Sequence, residues 1–261
     1  MKFYKIIILT LLSAVMISDI QAQGPPITAD KPIMLGSNSV IIKTLTEIRN
    51  TDEGTFTKVP FMFHYLPTSN TLIAVHVPLT TYSFDDEGLG RNGSSLGDIN
   101  ILGKYQFYRK DGKAKTFRMV VKTLQTLPTG KDFGPDEISA GVYQGYYGIV
   151  AGYESIKYGL SNEIGYNISP SGDQDEFRYK FGVGLPLLKP TYPVKQINLY
   201  FEYSSNWRME KDAYEMLYAQ GIQYAKGRLT LEAAVQVPLI QSNMEEFELN
   251  SNILLGTRYI F

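Results

Sequence analysis

Residues Glu176 to Leu187 read EFRYKFGVGLPL, and apolar and polar side chains alternate along the stretch without an error. Phe177, Tyr179, Phe181, Val183, Leu185 and Leu187 fall on one face, Glu176, Arg178, Lys180, Gly182, Gly184 and Pro186 on the other. A period of two is the signature of a strand with one face meant for apolar surroundings. Ile156 to Ile168 repeats it, with Tyr158, Leu160, Ile164 and Tyr166 opposed to Lys157, Gly159, Ser161, Glu163, Gly165 and Asn167. Counting such runs predicts about twelve strands. They lie near Val40–Ile48, Phe56–Tyr65, Leu72–Tyr82, Asp98–Tyr108, Thr116–Leu127, Val142–Glu154, Ile156–Ile168, Glu176–Leu188, Gln196–Ser204, Tyr214–Tyr224, Arg228–Leu239 and Glu248–Phe261. No helical stripe competes over any length.

The connections alternate in kind. RNTDEGT, SFDDEGLGRNGSSLG, PTGKDFGPDEISAG, SPSGDQD, SNWRMEKDA and IQSNMEEFE are long and polar. LPTSNT, RKDGK, a near-direct passage at Glu154-Ser155, and AKG are tight, with LKPTYPVK as the long exception. One long-looped rim and one short-turned rim describe an up-and-down barrel set in an outer membrane. The leader agrees: Lys2 and Lys5 precede an apolar run from Ile6 to Ile17 and the segment Ile20-Gln21-Ala22, which reads as a signal peptide over residues 1–22. The barrel would occupy 40–261, and 23–39, carrying Pro and Gly, would be a plug inside it or a tail.

Alternation alone leaves open which face points inward. A soluble barrel turns its apolar face in, and a membrane barrel turns it out. Twelve strands enclose a wide interior, whereas barrels filled by side chains stop near eight. Tyr158 and Tyr166 are spaced to mark the two edges of an apolar band, about 20 Å apart along a tilted strand. The expectation is therefore an all-β, transmembrane, up-and-down antiparallel β-barrel in the outer membrane of a Gram-negative bacterium. Its chain would be a monomer, with membrane lipid around it.

Several function classes recede. The chain has 25 basic and 26 acidic side chains, and they stay nearly balanced without Lys2, Lys5 and Asp19 (23 and 25), so no basic surface invites nucleic acid. The chain has no cysteine, hence no disulfide or thiolate metal site. His64 and His76, its two histidines, fall on the presumed inner face with no carboxylate two positions away to complete a metal site, nor a serine to act as nucleophile. No cofactor is expected. Asp85-Asp86-Glu87 could hold Ca²⁺ but reads more simply as a solvated acidic loop. The inner face assigns Asp98, Lys104, Arg118, Lys122, Glu163, Arg178, Lys180, Glu202, Glu232 and Arg258 to a transport path, either setting selectivity or pairing across the lumen. Asp98 reads more simply as ordering a loop-to-strand turn.

Ser95 to Gly112, SLGDINILGKYQFYRKDG, resembles the Gly-Asp…Lys-Tyr signature of the outer-membrane family grouped as "MetA-pathway of phenol degradation". Leu127-Pro128-Thr129-Gly130 resembles that family's loop-opening Leu-Pro-Thr-Gly, and Thr28-Ala29-Asp30-Lys31-Pro32 its early Thr-Asp-Arg-Pro, with Ala29 inserted and Lys31 for Arg. The resemblance implies a barrel that passes small hydrophobic or aromatic solutes. The terminus, Tyr259-Ile260-Phe261, resembles the signal by which the barrel-assembly machinery recognises its clients. A passive channel is the leading expectation. A lipid-modifying barrel enzyme and a structural or adhesive surface barrel are the alternatives.

Overall fold

The computed structural model describes residues 26–32, 34–84, 92–130, 141–170, 172, 175–189, 195–243 and 248–261. The expected signal peptide and the acidic run Asp85-Asp86-Glu87 lie outside them. Nearly all the rest is strand: β1 (Ser39–Thr51), β2 (Gly54–Thr68), β3 (Thr71–Phe84), β4 (Gly93–Leu96), β5 (Ile99–Gly112), β6 (Lys115–Leu127), β7 (Gln144–Ser155), β8 (Gly159–Ile168), β9 (Glu176–Pro186), β10 (Lys195–Arg208), β11 (Ala213–Lys226), β12 (Leu229–Ser242) and β13 (Leu249–Ile260). Neighbours in sequence pair antiparallel around the sheet, and β13 returns to β1 with Ile41 opposite Ile260, which closes the wall. β4 and β5 share the edge of β3, β4 along Leu79–Tyr82 and β5 along Thr71–His76. They are one barrel strand interrupted at Gly97-Asp98, so the wall has the twelve positions expected.

The two faces decide the environment. Ile73, Ile164, Val235 and Leu255 project outward at 50, 48, 52 and 49 % exposure, while Glu163, Glu202 and Glu232 face inward at 2, 2 and 5 %. Burying an aliphatic side chain is worth roughly 1.5–3 kcal/mol. A wall presenting so many of them to water would forgo more than the whole stability of a typical domain. The apolar face is the lipid face, as in membrane barrels.

The rims differ from expectation in three places. RNTDEGT and SNWRMEKDA, expected as long loops, are mostly strand. β1 and β2 turn at Asp52-Glu53, and β10 and β11 pair out to Arg208 opposite Ala213 before a turn at Met209–Asp212. Ladder hydrogen bonds need no apolar side chains above the membrane, so polar composition alone did not mark the strand ends. The tight turn expected at Glu154-Ser155 sits at Ile156–Tyr158, where the Ser155 hydroxyl accepts from the N–H groups of Lys157 and Tyr158 at 3.2 and 3.1 Å. β8 accordingly starts at Gly159.

Candidate functional site

The inner wall is built by every second side chain of these strands, even-numbered on most and odd-numbered on β1, β8 and β11, and residues 26–32 and 34–38 lie against it. The segment enters from the short-turn rim, where the Asn38 N–H donates to the Leu66 carbonyl at 2.8 Å. Met34 packs there with Leu66, Leu72, Ala74, Leu102, Val120 and Val150, an apolar cluster inside the barrel. Farther in, the N–H groups of Ile27, Thr28 and Ala29 and the Thr28 hydroxyl all donate to the Glu202 carboxylate, at 2.5 to 2.7 Å. Three successive backbone donors converging on one anion form a nest, a concavity whose partial charges favour a carboxylate.

Asp30, next along, lies between two lysines. Lys104 Nζ meets its Oδ1, and Lys122 Nζ stands 3.0 Å from its Oδ2. Lys122 also reaches Glu163 Oε1 at 2.7 Å, and the Tyr146 hydroxyl donates to the same oxygen at 2.7 Å. The Tyr146 ring has Lys122 Nζ and Arg178 Cζ over it at 5.4 and 5.5 Å. It can lie there because Gly148 and Gly165 leave the space: a Cβ on Gly165 would stand 2.3 Å from the Tyr146 hydroxyl. Lys31 pairs with Glu154, and Lys180 Nζ donates to the Thr28 carbonyl at 3.2 Å.

The residues that alternation assigned to the lumen are thus drawn into defined contacts. Lys104, Lys122, Glu163, Lys180 and Glu202 converge on Thr28 to Asp30 or on one another. Glu232 pairs with Lys43 at 3.1 Å and accepts from Gln223, and Arg258 donates to the Thr230 hydroxyl on the neighbouring strand. Arg118 lies nearer the short-turn rim, on Thr116 and Gln106. Arg178 pairs with Glu176, which also meets Arg208 at 3.5 Å. Asp30, Lys31, Lys43, Tyr146 and Glu154 were missed as site residues. Asp30 and Lys31 lie in a segment with no period, and Tyr146 looked like one more wall aromatic.

Asp98 stands apart. Its carboxylate accepts from the Gly130 N–H at 2.8 Å, and the Ile99 N–H donates to the Thr129 hydroxyl at 2.9 Å. Gly97-Asp98 and Leu127–Gly130, two motifs far apart in sequence, therefore clasp each other where the wall breaks. Asp98→Ala should loosen this clasp by about 1–3 kcal/mol, the cost of stranding a buried donor. Faster amide exchange at Gly130, without loss of the barrel, would register it.

A cavity of about 360 Å³ opens on the long-loop side of the lumen. Arg49, Arg178, Arg208 and Lys211 line it along with Glu47, Glu176 and Glu215, and Ile27 and Thr28 form part of its inner end. His64 and His76 stack on the inner wall with Nε2 atoms 3.2 Å apart. Among the described residues, no group of three or more histidines and carboxylates could hold a metal ion.

No protein-family model and no curated protein matches this chain. Solved structures do. An outer membrane channel from Pseudomonas putida F1 superposes with a TM-score of 0.63 at 13% identity, covering 92% of this chain and all (100%) of the other. The KdgM porin gives 0.54 at 8%, over 85% of this chain and 99% of its own. The NanC porin gives 0.54 at 10%, over 84% and 98%. The chain has the fold of these outer-membrane channels.

Proposed function

We propose that this chain is a passive outer-membrane channel for small solutes, and that Pro26–Asn38 plugs its lumen at rest. The observation that carries the reading is a charged, water-facing interior whose outer cavity ends on Ile27 and Thr28, residues of the N-terminal segment itself. An inward face rich in ionic groups lines a polar path well. The long-loop rim faces the cell exterior and the short-turn rim the periplasm. The resemblance to the phenol-degradation family supports hydrophobic or aromatic solutes, with the ten inner-face residues named above along or beside their path. No observation favours the enzymatic alternative.

The test is conductance in planar bilayers, paired with liposome swelling in small solutes. The intact chain should give rare, brief openings, and a chain lacking residues 26–34 should stay open. A deletion chain that inserts but neither conducts nor swells liposomes would end the channel reading.

The C-terminal signal belongs to the same proposal, with the assembly machinery as partner of a monomeric barrel. Tyr259 and Phe261 stack edge to face at 4.8 Å on the outer surface, at 39 and 58 % exposure. Deleting Phe261 should lower the inserted fraction several-fold, read as heat-modifiable barrel in the membrane. Single-channel conductance of the molecules that do insert should stay the same.

A further inference from the structure

Resting on the plugged-channel part of that reading and not on its hydrophobic or aromatic solutes, we propose that Lys104 and Lys122, with Glu202 opposite, form a binding site for small amide-bearing carboxylates, and that Asp30 fills it in the plugged state as a built-in mimic of the solute. The site is preformed by the wall. Lys104 and Lys122 stand directly opposite each other on β5 and β6, with side chains only 9 and 13 % exposed. Lys122 is fixed from behind by Glu163, which the Tyr146 hydroxyl holds in turn. Asp30 is the ion-pair partner of Lys104, and it sits at the end of a segment joined to β1 by an irregular stretch rather than on a strand. Two ammonium groups that lost this carboxylate would be left close together and incompletely paired, a costly arrangement for like charges. Any anion able to reach them is therefore favoured.

Glu202 narrows the class. It takes N–H groups from Ile27, Thr28 and Ala29, immediately before the residue whose carboxylate the lysines take. A solute that satisfies both halves carries a carboxylate within a residue's length of amide N–H donors, as acylated acidic amino acids and short acidic peptides do. A bare hydrocarbon or simple sugar satisfies neither half. Entry of such a solute competes with the segment for the same contacts, so the solute itself displaces the plug. Binding to the open form alone shifts the equilibrium by mass action.

The probe is N-acetyl-aspartate amide, which sets the Asp30 side chain between two amides, against its asparagine counterpart, which lacks only the charge. Binding is read by saturation-transfer NMR on the full chain refolded in detergent, with heat-modifiable migration confirming each barrel. Asp30→Lys places a third ammonium between the two lysines and empties the site without altering the wall. In that variant the aspartate probe should bind at least tenfold more tightly than to the unaltered chain, and tenfold more tightly than the asparagine probe. Adding Lys104→Met should abolish the gain. It strands no carboxylate, because Asp30 is already gone, whereas Lys122 must also hold Glu163. Equal binding of the two probes, or binding unchanged by Lys104→Met, would overturn the site. Because the readout is binding, a chain that binds but never conducts refutes the channel and keeps the site. A chain that conducts without binding does the reverse.

Discussion

Glu202→Gln should release the N-terminal segment from the lumen. The carboxylate accepts from three backbone N–H groups and a hydroxyl. Glutamine keeps one acceptor oxygen and turns an NH₂ group toward donors it cannot serve. Hydrogen bonds to a charged group contribute about 1.5–3 kcal/mol each and do not add fully when they share an acceptor. A combined loss near 3 kcal/mol would shift the docked-to-undocked ratio roughly a hundredfold. Undocking also becomes cheaper on the wall side. The native chain leaves an unpaired buried carboxylate behind when the segment departs, and the variant leaves a neutral amide. Amide exchange at Ile27 to Ala29 should therefore accelerate strongly, and open probability in bilayers should rise with it. Exchange as slow as in the unaltered chain would show that apolar packing around Met34 holds the segment instead.

Gly165→Ala should be costly to the wall. The new Cβ would lie 2.3 Å from the Tyr146 hydroxyl oxygen and 2.4 Å from Cζ, beside Gly148 on the paired strand. Tyr146 must swing away, giving up its bond to Glu163 and its ring contacts with Lys122 and Arg178. Overpacking costs about 1–3 kcal/mol, and the broken hydrogen bond to a charged acceptor adds to it. A loss of about 3 kcal/mol in urea unfolding from lipid is expected on these terms. In a Tyr146→Ala background the same glycine substitution should cost little, since the ring that fills the space is gone. A cost that persisted there would locate the strain in the backbone instead.

Much of this was legible because one face of every strand had to meet lipid. Alternation in EFRYKFGVGLPL set Arg178 and Lys180 on the opposite face from Phe181 and Val183, and in the structure Arg178 and Lys180 line the inner cavity. Where apolar residues run together it separated the faces without explaining them. Ile253, Leu254 and Leu255 form one such run, and only the outer two face lipid. Leu254 turns inward to pack with Ile27, Leu45, Tyr200 and Ala234, at 3 % exposure. Pattern reading expects a polar lumen and has no reason to look for an apolar layer in it. That layer exists because a segment from outside the wall packs there. Asp30 was invisible as a site residue for the same reason: its partners come from strands far along the chain, and no spacing encodes them. Thr28–Pro32 stood out only through its family likeness, which carried no role.

The Phe261 N–H donates to the Val40 carbonyl at 2.9 Å, so the last residue of the chain is bonded to the first strand of the wall. The seam between β1 and β13 then has a consequence for damage. Residues trimmed from the end of β13 leave unmatched carbonyls and amides on β1, and the deeper the trimming runs from the rim, the less water can solvate them. Elsewhere on the wall an altered side chain is a local matter. At this seam, shortening one strand reopens an edge on the other, so clipping a few terminal residues damages both ends of the polypeptide at once.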